Sequence, residues 1–98
     1  MAIIAVHQPP SLTQERYEEV IRRLTNGLRR VQKLSDLPFD GLLMHAAGPA
    51  KDGFYIVDVF ESAEAVERFQ EIIRPIASEV GIEEPPQFFP AHTYVAAD

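Results

Sequence analysis

The chain has 98 residues, enough for a single domain over residues 1–98 and hardly for two. Nine basic against fifteen acidic side chains leave a net charge of −6, which argues against nucleic-acid binding, because that needs a basic face to displace counterions from phosphates. The absence of cysteine excludes disulfides, zinc–thiolate centres and thiol nucleophiles, and 46% apolar with 24% charged residues is a globular mix.

Residues 2–7 (AIIAVH) are apolar and β-branched and are stopped by Gln8-Pro9-Pro10, which predicts strand β1. The run is too short for a signal peptide or a membrane span, so a cytoplasmic location is expected. Ser11, with Gln14 three residues on, and Thr13 are both candidate helix caps. Tyr17, Val20, Ile21, Leu24, Leu28 and Val31 then fall on one stripe of a first helix, with acids early and bases late. Asn26-Gly27 predicts a break, after which residues 28–34 are expected to form a shorter helical tail.

Residues 41–47 (GLLMHAA) and 54–60 (FYIVDVF) read as strands β2 and β3, and the Asp52-Gly53 signal between them predicts a hairpin. Ser62 should cap a second helix whose stripe is Val66, Phe69, Ile72, Ile73, Ile76 and Val80, with Gly81 as its C-terminal cap. Pro75 inside that stripe is expected to kink the helix or end its first part near Ile73. After the stiff acidic linker 82–86, residues 87–95 (QFFPAHTYV) read as β4, with Pro90 favouring an edge or a bulge. The order βαββαβ repeats in two halves of similar length. It predicts an α+β, ferredoxin-like fold, with a four-stranded antiparallel sheet and two helices on one face.

The uncovered face decides the biology. In β3 the sets Tyr55, Val57, Val59 and Phe54, Ile56, Asp58, Phe60 alternate, and both are mainly apolar. A sheet greasy on both sides needs cover on both, and one chain of this length has no third layer. A homodimer packed through its sheet faces is the simplest answer, and the expected cover also encloses the polar groups of β2 and β3.

Asp58 is the most informative residue, because aspartate is depleted in strands and a buried carboxylate needs a partner. A hairpin loop of residues 50–53 sets His45 opposite Asp58, and a loop of residues 48–53 sets it diagonal. Either register leaves both side chains on one face. Such a pair can fix one imidazole tautomer and shuttle a proton, or simply satisfy two buried polar groups. His92 and Tyr94, alternating on β4, either point into the same cavity or lie on a solvated edge. His7 is expected at the rim and Tyr17 in the core, while Phe54, Phe60, Phe88 and Phe89 suit core or pocket wall. The three histidines lie on separate strands without ligand spacing, so no metal is expected, and no phosphate-binding glycine loop or nucleophile elbow is present.

Residues 41–70 (GLLMHAAGPAKDGFYIVDVFESAEAVERFQ), above all DVFESAEAVERF at 58–69, resemble the dimeric α+β barrel superfamily and within it the antibiotic biosynthesis monooxygenase type of domain. The resemblance implies a ferredoxin-like protomer that pairs through its sheet, with a cavity in each subunit for hydrophobic, often aromatic or polyketide-like molecules. Two departures stand out. Phe60 occupies the strand-ending position that is usually Trp in the monooxygenases, and the second helix carries no histidine of the kind that binds haem in haem-degrading relatives. The likeness is therefore greatest to uncharacterised members of the family, and no cofactor is expected.

Two readings follow. In one, the protein is an enzyme without a cofactor, a monooxygenase, cyclase or isomerase of a small aromatic or polyketide-like substrate. His45 would be its acid or base and Asp58 would orient the imidazole, with Phe54, Ile56, Phe60, His92 and Tyr94 contacting substrate. In the other, a non-catalytic homodimer binds a lipophilic ligand or serves as an accessory subunit.

Overall fold

The computed structural model describes residues 1–97. Its elements are β1 (Ile3–His7), α1 (Gln14–Leu24), β2 (Leu42–Ala50), β3 (Gly53–Phe60), α2 (Ala63–Val80) and β4 (Gln87–Pro90). The strands form one antiparallel sheet in the order β2-β3-β1-β4. That is the split βαβ, ferredoxin-like arrangement expected from the repeated halves. No helix among the described residues is long and apolar enough to cross a membrane.

Thr13, not Ser11, caps α1, its hydroxyl accepting the Arg16 amide at 3.1 Å. Ser11 turns elsewhere, to Glu84 and to the Glu83 amide. The stripe Tyr17, Val20, Ile21, Leu24 packs inward as its spacing demands. The predicted helical tail over 28–34 does not form. Asn26 (φ 62°) and Gly27 (φ 110°) both take left-handed conformations, which reverse the chain, and the Thr25 hydroxyl closes the end on Ile21 O at 2.6 Å. The Asp36 carboxylate then accepts the Gln32 and Lys33 amides and organises a 3-10 turn at Leu34–Asp36 instead. Leu28, freed from the stripe, is exposed.

Helix α2 runs unbroken over Ala63–Val80, capped by Ser62 at its start and by Gly81 (φ 99°) at its end. Pro75 neither ends it nor splits it. Proline forfeits the bond to the carbonyl of residue 71, but Pro75 and Glu71 are both exposed, so water can take the lost partner's place. Where α2 begins, the β2 entry passes so close that a Cβ on Gly41 (φ 85°) would stand 2.6 Å from Ala65 Cβ.

The hairpin takes the first of the two registers. Pro49 pairs with Phe54 and His45 with Asp58, and an irregularity between Leu42 and Met44 re-aims the start of β2. Strand β4 is shorter than predicted. It leaves the sheet after Pro90, which lacks an amide to donate, and one last bond ties Ala91 N to Ala2 O at 2.8 Å. His92 and Tyr94 therefore lie beyond the sheet.

Both helices cover the face that carries Ala5, His45, Ile56, Asp58, Phe60 and Phe88, and two apolar clusters fill the space between. The opposite face carries Ile4, Val6, Met44, Ala46, Val57, Val59 and Phe89 with no charged side chain among them; no helix covers it, although Val59 is buried and the segment after β4 reaches across to Leu43 through Tyr94. The buried acid and the uncovered apolar face are thus on opposite sides of the sheet. Parity alone left that assignment open, and a covering partner would not close over His45 and Asp58.

Candidate functional site

Between sheet and helices lies a cavity of about 290 Å³. Interiors are otherwise close-packed, so a void of this size is a feature rather than slack. The sheet contributes Ala5, Ile56 and the polar pair as its floor, and the apolar stripes of α1 and α2 form its walls. Its mouth is marked by exposed Arg74 and Ser78 on α2 and by the segment 82–86. That segment is fastened to the end of β1, where His7 Nε2 bonds Glu84 O at 2.7 Å and Ser11 bonds the Glu84 carboxylate.

One polar chain crosses the apolar floor. His45 Nδ1 bonds Asp58 Oδ1 at 2.6 Å, with the two side chains only 11% and 9% exposed. A carboxylate only accepts, so Nδ1 carries the hydrogen. His45 Nε2 lies 2.7 Å from the Tyr17 hydroxyl, and in the neutral imidazole this nitrogen accepts the phenol proton. The Tyr17 and His45 rings stack with centroids 6.0 Å apart and planes at 10°. Phe54 flanks Tyr17 at 5.0 Å. Burial pushes the Tyr17 phenol up to about 12, and the nearby Asp58 carboxylate adds to the shift. The phenol therefore holds its proton firmly at neutral pH. No buried side-chain polar atom among the described residues lacks a partner.

On the other side of the Tyr17–His45 contact runs an open groove of about 650 Å³. It is bounded by Gln14 and Glu18 of α1, by Arg29 and Arg30 of the following loop, and by β2. The stacked pair is thus a partition between an apolar chamber and a polar groove.

His45, Asp58 and Ile56 come together on the cavity wall. Phe54 faces the groove, behind Tyr17. Phe60, fully buried, is core and packs against Phe69 at 4.9 Å. His92 and Tyr94 reach neither space. The His92 imidazole is exposed beside the Thr93 hydroxyl, and the Tyr94 hydroxyl donates to Leu43 O at 3.4 Å. Their expected alternation required a strand that ends earlier. Tyr17 is the residue that the sequence assigned to core alone. Its stripe position explains the burial, and no local spacing connects it to a histidine 28 residues on. Only its being the polar member of that stripe set it apart.

No cluster of three or more potential metal-ligating side chains occurs among the described residues. The chain matches no family model, and comparison with curated proteins and with solved structures finds no similar protein.

Proposed function

We propose that the protein binds a small lipophilic molecule in the chamber between sheet and helices and moves a proton there through the His45–Asp58 pair. The observation that carries this reading is the 2.6 Å His45–Asp58 contact set into the wall of an apolar cavity of about 290 Å³. A pair serving packing alone would sit against filled core. Here it borders empty space of about the size of a small ligand pocket. The imidazole held in one tautomer by a carboxylate is the arrangement that general acid–base catalysis requires. Proton abstraction from a carbonyl or phenolic compound is the step shared by a cyclase, an isomerase and an oxygenase without a cofactor. An aromatic or polyketide-like substrate is what membership of the antibiotic biosynthesis monooxygenase type, itself part of this proposal, would add.

The uncovered apolar sheet face supports a homodimer packed through that face, each subunit keeping its own chamber. A cytoplasmic location fits the same reading.

Hydrogen–deuterium exchange into 2-tetralone, a bicyclic ketone with an acidic C–H, tests the proton-transfer step by NMR. The expected result is exchange faster than buffer with the native protein and reduced by about 10²-fold or more in His45→Gln. Binding of 2-tetralone without accelerated exchange would refute the enzyme and leave the second reading, a non-catalytic carrier or accessory protein, for which the apolar chamber is itself the supporting observation.

A further inference from the structure

Both nitrogens of His45 are occupied, Nδ1 by Asp58 and Nε2 by Tyr17. An imidazole so placed reaches a ligand only through the Tyr17 hydroxyl, along which any proton moved by the pair must pass. The chain of hydrogen bonds ends at the Tyr17 oxygen, which bonds His45 once and retains further hydrogen-bonding capacity. Tyr17 borders both the apolar chamber and the polar groove. We propose that the Tyr17 hydroxyl is the group that touches the ligand, and that the protonation state of His45 sets whether this hydroxyl accepts or donates a hydrogen bond. The proposal rests on the chamber being a ligand site and names the ligand class as one that presents a ketone or phenol oxygen at Tyr17.

The two states follow from proton counting. With His45 neutral, Nδ1–H donates to Asp58 and the Tyr17 O–H donates to Nε2, so the phenol oxygen offers the ligand lone pairs only. When His45 takes a proton from water at Nε2, that nitrogen becomes a donor to the phenol oxygen, and the Tyr17 O–H swings free to donate into the site. The Asp58 carboxylate, 2.6 Å from the ring, balances the charge gained. Tyr17 and His45 keep their stacked positions throughout, because only hydrogens move. Tyr17 is then the residue in contact with the ligand, and His45 with Asp58 positions and polarises it.

Charged and titratable groups face this pair from every neighbouring element. Asp58 of β3 contacts the ring directly, His7 of β1 and Arg74 of α2 border the chamber, and Glu83 and Glu84 stand at its mouth. Glu18 of α1 and Arg29 and Arg30 of the loop border the groove. All but Asp58 and the half-buried His7 and Glu18 are exposed, so water screens their influence on His45.

Two small naphthalenes test the switch. 2-Acetonaphthone can only accept a hydrogen bond, whereas 2-naphthol can donate one. Their affinities are measured across the pH range over which the protein stays folded, with the His45 charge state read in the same samples from its ring ¹⁵N signals and naphthalene as the hydrocarbon reference. The expected result is opposed profiles. The ketone tightens toward acid and the naphthol toward neutral pH, each by about three- to tenfold, the worth of one hydrogen bond, while naphthalene stays flat. In Tyr17→Phe both slopes vanish and naphthalene still binds. Parallel or flat profiles for the two oxygenated probes in the native protein would overturn the proposal while leaving the chamber intact. Failure of all three probes to bind would overturn the chamber itself, and the proposal with it. The native-protein profiles decide the matter even if Tyr17→Phe folds poorly.

Discussion

Replacing one member of the His45–Asp58 pair should cost far more than replacing both. In His45→Leu the Asp58 carboxyl, 9% exposed, loses its hydrogen-bond partner at 2.6 Å on the lining of a largely apolar cavity. Breaking a buried charged pair in this way costs about 3 to 5 kcal/mol. A domain of this size holds about 5 to 15 kcal/mol in total. At roughly 4 to 8 °C per kcal/mol the midpoint should fall by roughly 12 to 40 °C. The double variant His45→Leu/Asp58→Leu removes both polar groups and adds apolar volume beside an existing cavity, so it should recover most of the loss and could exceed the native midpoint. Tyr17 loses its Nε2 partner in both variants, and Tyr17→Phe backgrounds of each remove its remaining influence from the comparison. Thermal unfolding followed by circular dichroism reads all four corners of the cycle. A double variant as unstable as His45→Leu alone would show that the pair is there for stability, and the argument that it is retained for chemistry would fall.

Three further outcomes follow. The folded chain holds the Tyr17 proton more tightly than the unfolded one, about 12 against 10.0, so this group's contribution to stability is complete below pH 10 and is lost as the pH rises through 12; ultraviolet titration of the phenols should show one late-titrating tyrosine that disappears in Tyr17→Phe. Val57→Asp places a charge at the centre of the uncovered face without touching the chamber, so sedimentation should give a homodimer for the native chain and a monomer for the variant, and identical sedimentation of the two would refute the sheet-face dimer. Gly41→Ala forces a left-handed φ of 85° on a side chain whose Cβ meets Ala65 Cβ at 2.6 Å, and denaturant melts should show a loss of about 2 to 5 kcal/mol, about 1 to 2 from the backbone and about 1 to 3 from overpacking.

Much of this architecture was legible because local chemistry and global fold agree. The turn signal Asp52-Gly53, the caps Ser62 and Gly81 and the stripe of α2, apart from Ile72, which is exposed, do in the structure what their residue types favour. Parity arithmetic placed His45 and Asp58 on one face for either even-length loop considered, whereas an odd-length loop would have separated them. Three things were not legible. Leu28 and Val31 continue the α1 stripe on paper, but two left-handed residues at Asn26 and Gly27 override the period. His92 and Tyr94 alternate correctly for a strand, yet Pro90 ends the ladder before they are reached. The Tyr17–His45 contact depends on how α1 crosses the sheet, a tertiary fact with no sequence spacing to announce it. The side of the sheet to which the acid belongs was also decided only by packing, since both faces of β3 are apolar.

The most direct measurement is the imidazole ¹⁵N–¹H spectrum of His45 before and after addition of 2-acetonaphthone. At pH values where the ring is neutral, the free protein should show a single tautomer with hydrogen on Nδ1 and none on Nε2. The ketone should then move the His45 signals while His92, remote from both spaces, stays fixed. A His45 ring that averages between tautomers, or one that ignores a ketone bound elsewhere on the chain, would contradict the account.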